Sequence, residues 1–119
     1  MKTFRDLLIW QKAMQLVTKC YSVSALFPKE EQFGLTSQLR RCSISIPSNI
    51  SEGYGRNSSK DYHRFLLIAT GSLFELQTQI EIAFNLKYIT EENFKKLYEE
   101  SRELERMISS LVRKIKESL

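Results

Sequence analysis

Four long segments of the chain carry apolar side chains at alternating spacings of three and four residues, a pattern typical of helices with one buried face. The segments run from about residue 4 to 26, 31 to 53, 59 to 88 and from 90 onwards. With only 4 Gly and 2 Pro, the chain has few places to turn. Short connections make neighbouring helices antiparallel. We therefore predict an all-α fold, an antiparallel up-down-up-down four-helix bundle.

The spacing also predicts which side chains of each helix face the core. The predicted faces are Leu7, Trp10, Met14, Val17 and Tyr21; Leu35, Leu39, Cys42, Ile46 and Ile50; Phe65, Ala69, Leu73, Leu76, Ile80 and Ala83; and Phe94, Leu97, Leu104, Ile108, Leu111 and Ile115. Pro47 lies inside the second helix, where it removes the backbone hydrogen bond to the carbonyl of Ser43. Because the apolar spacing continues past it, we predict that helix two is kinked at Pro47 and not broken.

The length and the composition limit the class of protein. A chain of 119 residues has room for one shared core, so we predict a single four-helix bundle domain over residues 1–119. No uncharged run is longer than residues 65–74, which is about half of the ~20 residues that a membrane-spanning helix needs. The first residues lack the apolar stretch of a signal peptide. We expect a cytoplasmic protein with no membrane contact, in which Cys20 and Cys42 are reduced and buried.

Catalytic and metal-binding motifs are missing from the sequence. The single histidine, His63, follows Asp61 by two residues, and side chains two apart on a helix do not face each other. No HExxH motif, cysteine cluster or glycine-rich phosphate loop occurs. We therefore predict no catalytic residues, no metal, no cofactor and no enzymatic activity. The runner-up is a cryptic nuclease or ligand-binding enzyme.

A polar stripe follows one side of the second helix. Its members recur every three or four residues and are Gln38, Arg41, Ser45, Asn49 and Glu52. One interpretation is a polar network, with Arg41 pairing Glu52, that sets helix register or a subunit interface. The other interpretation is a binding surface.

Positive charge is concentrated in the middle of the chain. The net charge is +4, and the basic residues of this region are Arg40, Arg41, Arg56, Lys60 and Arg64. The last three follow one another at i, i+4 and i+8 and could track a phosphate backbone. The alternative is a solvated helix face without a ligand.

Several motifs together resemble a known family. They are FRDL at 4–7 with WQKA at 10–13, FP at 27–28, QLRR at 38–41, SIPSNISEG at 45–53, and ATGSL at 69–73 followed by EL at 75–76. With these motifs the chain resembles the bacterial four-helix bundle proteins encoded within intervening sequences of the 23S ribosomal RNA gene. The resemblance spans nearly the whole chain, and the segment from Arg40 to Gly53 is its most specific part.

The resemblance implies a cytoplasmic bundle that assembles as a ring-shaped homopentamer. It also implies a related branch of accessory proteins of diversity-generating retroelements, which bind reverse transcriptase and nucleic acid. Phe27, Phe33, Phe84 and Tyr88 lie outside the predicted core faces, which independently favours a homo-oligomer. We therefore predict an oligomeric nucleic-acid-associated scaffold with RNA as its expected ligand. The alternative is a protein-interaction scaffold that docks a partner such as a reverse transcriptase and does not touch nucleic acid.

Overall fold

Four long α-helices make up most of the computed structural model, which describes residues 2–119. The helices are α1 (Leu8–Ser24), α2 (Leu35–Tyr54), α3 (Ser59–Asn85) and α4 (Glu91–Glu117), and 3-10 turns at Phe4–Asp6 and Lys29–Glu31 precede α1 and α2. Each helix packs on the next along the chain, and α1 also packs on α4. The described residues contain no β-strand. The predicted all-α four-helix bundle is therefore confirmed.

The first two helices begin later than the apolar spacing predicts. Residues 4–6 form a 3-10 turn in which the hydroxyl of Thr3 accepts the N–H of Arg5 at 3.1 Å, and the Asp6 carboxylate accepts the N–H of Thr3 at 3.2 Å. This reciprocal cap satisfies backbone donors that would otherwise lack partners. Extended backbone at Leu7 separates the turn from α1. Before α2, the Glu31 carboxylate accepts the N–H of Leu35 at 3.0 Å and marks the helix start.

The buried side chains of the four helices form one contiguous core. All six residues predicted for the core face of α3 are buried, and so are Leu39, Cys42, Ile46 and Ile50 of α2. In α4, Leu97, Leu104 and Ile108 are buried, whereas Phe94, Leu111 and Ile115 are partly buried against the core. A single period of about 3.6 residues therefore accounts for the core faces of these three helices.

The predicted core face of α1 is only partly right: Leu7 is buried and Trp10 is partly buried, but the rest of the face is not in the core. The buried residues of this helix are Ile9, Ala13, Leu16, Cys20 and Ser24. Met14 and Tyr21, which we predicted to be buried, are 41% and 38% exposed. The two stripes are offset by one residue, and both repeat at three and four. Helix α1 therefore has two apolar faces, of which the one with smaller side chains enters the core.

The order of contacts between neighbouring helices is the one expected of antiparallel packing. Between α2 and α3, Gly53 lies against Phe65. The side chain of Ser45 forms a hydrogen bond with Ser72, and that of Cys42 forms one with Gln79. Later residues of one helix thus meet earlier residues of the other. Helix α2 continues without interruption through Pro47. The bend at Pro47 and the complete up-down-up-down order remain predictions.

Candidate nucleic-acid interface

The structure separates the five predicted basic residues into two groups. Arg40 and Arg41 lie in the first half of α2, whereas Arg56, Lys60 and Arg64 lie where α2 ends and α3 begins. The 13 residues from position 41 to the end of α2 at Tyr54 correspond to roughly 20 Å of helix. The five side chains therefore do not form one patch.

Arg40 is engaged within the chain. Its Nε donates to the hydroxyl of Ser24 at 2.9 Å, and its guanidinium carbon lies 4.5 Å from the ring centroid of Tyr21. Ser24 is buried, and both partners belong to α1. Arg40 thus holds α2 against α1. Arg41, the next residue, is exposed, and its side chain makes no hydrogen bond or ion pair within residues 2–119.

Arg56 and Arg64 approach the same aromatic ring. Their guanidinium carbons lie 5.1 Å and 4.6 Å from the ring centroid of Phe65. Each also has a nearby carboxylate: Arg56 is 3.1 Å from Glu52, and Arg64 is 3.8 Å from Asp61. These pairs are exposed and contribute little to folding. The ring and the carboxylates nevertheless keep both arginines at the surface of one corner of the bundle.

Lys60 completes this corner. It lies in the first turn of α3, where the helix dipole favours anions and a cation is unfavourable. Its side chain is exposed, and it forms no ion pair among the residues that the structure describes. Lys60 therefore does not stabilise the start of α3 through the helix dipole.

More basic residues lie at the same end of the bundle than the sequence pattern indicated. On α4, Glu100 pairs with Lys19 of α1, and Glu103 pairs with Lys12. The C-terminal turns of α4 therefore approach the N-terminal end of α1. The end of α2 is also close, because Phe4 and Ser51 line a common groove. We use the name basic end for the set Arg5, Arg56, Lys60, Arg64, Arg113, Lys114 and Lys116.

The opposite end of the bundle has mixed charge. Its loops and helix ends carry Lys29, Lys87, Lys95 and Lys96 together with Glu30, Glu31, Glu91 and Glu92. The basic end also carries Asp6, Glu52, Asp61 and Glu117, so its seven basic residues leave an excess of three positive charges there, most of the net charge of +4. Sequence inspection missed Arg113, Lys114 and Lys116, although the change in α4 from acidic at its start to basic at its end was a visible signal.

The predicted polar stripe forms only in its middle. The amide nitrogen of Asn49 donates to the carbonyl and the hydroxyl of Ser45 at 2.8 Å and 2.9 Å, and the Ser45 hydroxyl bonds that of Ser72 on α3 at 2.8 Å. This small network links α2 to α3. Gln38 is exposed and takes no part in it.

The predicted pair between Arg41 and Glu52 is wrong, because Glu52 pairs with Arg56. Two residues eleven positions apart on one helix are separated by about 16 Å along the axis, which their side chains do not span without strain. Arg56 is only four positions from Glu52, so its side chain reaches the carboxylate easily. The stripe therefore does not act as one continuous network.

The two cysteines are unsuited to reactive chemistry. Both are buried free thiols, and burial raises the pKa of Cys20 and of Cys42 to about 12. The thiolate is the form that attacks electrophiles and binds metals. Near neutral pH both side chains are therefore protonated and behave as small apolar groups.

Residues 2–119 contain no group of three or more His, Cys, Asp or Glu side chains placed to hold a metal ion. In the same part of the chain, no helix is long and apolar enough to cross a membrane. The fold and the site thus define a small helical bundle with one basic end.

Comparison with known proteins places this bundle in a family. The family model of the 23S rRNA-intervening sequence proteins matches residues 5–110, so the chain belongs to that family. This confirms the resemblance seen in the motifs. No curated protein matches the chain significantly.

One similar solved structure is that of a protein of unknown function from the S23 ribosomal protein family of Bacteroides thetaiotaomicron. It is 23% identical, and the similarity covers 88% of this chain and 98% of that chain with a TM-score of 0.82. At this level of identity the likeness supports the fold alone.

Proposed function

We propose that the protein is a non-catalytic, oligomeric scaffold that binds nucleic acid through its basic end, with RNA as the expected ligand. The observation that carries the proposal is the placement of basic residues from the N-terminal turn, the start of α3 and the end of α4 at one end of the bundle, where Arg56 and Arg64 share the Phe65 ring. A surface of this kind binds phosphates with little sequence preference, and a cytoplasmic location would expose it to RNA.

Oligomerisation belongs to the same proposal, because one copy offers few phosphate contacts. Of the four aromatic residues that favoured an oligomer, three pack within the chain: Phe27 lies 5.5 Å from Tyr88, and Phe84 lies 4.8 Å from Phe94 between ring centroids. Phe33 is the exception among the four, since it is 90% exposed.

Helix α3 provides a better reason for assembly. It exposes a set of large apolar side chains, namely Leu67, Ile68, Phe74 and Ile82, and Leu86 follows directly after the helix. Apolar surface of this extent is typical of a face that another subunit covers. A homopentameric ring would repeat the basic end around its axis and raise the affinity for a long polyanion by avidity. Light scattering at micromolar concentration tests this, and a mass near 14.0 kDa would exclude an oligomer.

The test of nucleic-acid binding compares two triple variants that remove the same charge. Arg56→Ala/Lys60→Ala/Arg64→Ala alters the basic end, and Lys29→Ala/Lys95→Ala/Lys96→Ala alters the opposite end. Each set contains two ion-paired residues and one without an ion pair. Fluorescence anisotropy then follows binding of a structured RNA and of a DNA duplex at several salt concentrations.

We expect the basic-end variant to bind much more weakly than the parent. Its salt dependence should also become flatter, by roughly 0.7–0.9 log units per decade for each phosphate that the variant no longer neutralises. The control variant should bind nearly as the parent does. No binding by the parent at low salt would contradict the proposal. Equal weakening in both variants would show a general effect of net charge and would contradict it as well.

A second candidate function is a scaffold that docks a protein partner, such as a reverse transcriptase. Phe33 supports it, because an exposed aromatic beside an exposed arginine, Arg41, is a composition common at the energetic centres of interfaces. Under this alternative the charge at the basic end only promotes solubility or attracts an acidic partner.

A further inference from the structure

A long groove runs between α1 and α2 on the surface. It consists of two adjoining cavities of ≈ 350 Å³ and ≈ 490 Å³, and Ile44 lines both. Trp10 lines the first cavity, whereas Tyr21 and Phe33 line the second. We use the name α1–α2 groove for this surface. It contains the outer apolar face of α1, which the core does not use.

The charges along the α1–α2 groove have one sign. Arg40 and Arg41 line the second cavity, and no carboxylate lines either cavity within the described residues. At the other end, the guanidinium carbon of Arg5 lies 5.4 Å from the ring centroid of Trp10. Arg41 has no partner within residues 2–119, so its charge is available to a ligand. The groove therefore combines aromatic rings with positive charge at both of its ends.

We propose that the α1–α2 groove binds a single-stranded stretch of nucleic acid, with bases against Trp10 and Phe33 and a phosphate on Arg41. Unpaired bases stack on aromatic side chains regardless of sequence, and arginines beside the rings attract the backbone. Trp10 and Tyr21 are about 16 Å apart along α1, which leaves room for more than one nucleotide.

The charge of the groove decides between possible occupants. A duplex keeps its bases stacked inside and cannot present their faces to the rings. An amphipathic peptide would cover the apolar floor but would need acidic groups to complement the arginines. A single strand supplies both the flat apolar surface and the negative charge. This inference rests on the proposed function and deepens it, since it names the form of nucleic acid and a second surface that contacts it.

The single tryptophan provides a direct probe, because Trp10 is the only one in the sequence. Titration of the full-length protein with oligo(dT) or oligo(U) of about 20 nucleotides, enough to span the groove, should quench Trp10 fluorescence as bases stack on the ring. A duplex of equal length should quench Trp10 much less than the single strand does, because its bases remain stacked on one another.

Variants at the exposed positions test the contacts without disturbing the core. Phe33→Ala and Arg41→Ala should each weaken single-strand binding by about fivefold or more, as expected when a stacking platform or a phosphate-binding charge is removed. Leu26→Ala is the control, because Leu26 is a 74% exposed apolar residue that lines neither the groove nor the apolar face of α3. Its affinity should equal that of the parent.

Three results would overturn the inference. If saturating single strand leaves Trp10 unquenched while duplex binding still depends on the basic end, the groove proposal fails and the proposed function stands. If Trp10 emission changes with protein concentration alone and not with oligonucleotide, a second copy covers the groove. If neither single strand nor duplex binds at low salt, both proposals fail.

Discussion

Gly53 on α2 lies so close to Phe65 on α3 that a Cβ atom placed at Gly53 would be 2.6 Å from the Cβ of Phe65 and 3.2 Å from the ring of Tyr62. The two backbones therefore meet where Arg56 and Arg64 approach the Phe65 ring. Gly53→Ala should force the helices apart and reduce the free energy of unfolding by about 1–3 kcal/mol. Urea denaturation followed by circular dichroism measures this change.

Gly71 supplies the control for that substitution. It also lies inside a helix, but a Cβ there would have no atom within 4 Å outside the local backbone. Glycine in a helix interior costs up to ~1 kcal/mol relative to alanine. Gly71→Ala should therefore be neutral or stabilising. If the two variants unfold at the same urea concentration, the close approach at Gly53 does not determine the packing of α2 on α3.

Adjacent arginines on α2 should differ in their effect on stability. Arg40→Ala removes a hydrogen bond to buried Ser24 and the packing on the Tyr21 ring, so we expect the free energy of unfolding to fall by about 1–2 kcal/mol. Arg41→Ala removes no bond within the described residues, and its unfolding should match that of the parent within ~0.5 kcal/mol. One interpretation of the sequence gave Arg41 a structural role, as the partner of Glu52. A large destabilisation by Arg41→Ala would restore that interpretation.

The two buried cysteines should make the free energy of unfolding depend on pH in the alkaline range. Burial raises the pKa of Cys20 and of Cys42 to about 12, so almost no thiolate exists in the folded protein near neutral pH. Because the folded-state pKa lies above that of an unfolded thiol, their contribution to stability is complete below the unfolded pKa. It falls as pH rises from the unfolded value towards the folded-state value of about 12.

The rate of reaction with a thiol reagent measures how well the fold protects the two thiols. The native protein at mildly alkaline pH should react with DTNB many times more slowly than the protein in concentrated guanidinium chloride, where both thiols are accessible. Rapid reaction of one thiol under native conditions would show that its helix opens or that the thiol is not buried.

Part of the fold follows from the sequence because periodicity reports which face of a helix is apolar. This was sufficient for α3, whose six predicted core residues are all buried. It was only partly right for α1, because Trp10, Met14 and Val17 repeat with the same spacing as Ile9, Ala13 and Leu16. Only packing against the other helices decides between two such stripes. The larger side chains remained outside, where they line the α1–α2 groove.

The candidate interface was less predictable, since charge proximity depends on contacts between helices. Spacing along the chain correctly grouped Arg56, Lys60 and Arg64. It also joined Arg40 to them, although a length of helix separates the two groups. Conversely, Lys114 lies far from Arg64 in sequence and reaches the same end only through the packing of α4.

Two carboxylates offset part of the positive charge that the basic end offers to a phosphate. Glu52 is 3.1 Å from Arg56, and Asp61 is 3.8 Å from Arg64. Glu52→Gln/Asp61→Asn should tighten binding of structured RNA at low salt by about twofold to fivefold per carboxylate, as expected for exposed charge pairs. The advantage should shrink as salt increases, because exposed charges are screened.

The matched control is Glu91→Gln/Glu92→Gln, which removes two exposed carboxylates that pair with Lys95 and Lys96 at the opposite end. Both double variants raise the net charge by the same amount, so only the position of the change differs. Anisotropy titrations of one RNA at two salt concentrations, with urea unfolding to confirm equal stability, compare them. Equal tightening in both would mean that net charge and not the basic end governs binding. Weaker binding by Glu52→Gln/Asp61→Asn would mean that the carboxylates orient the arginines for the phosphate, since an arginine released from its partner loses its fixed position above Phe65.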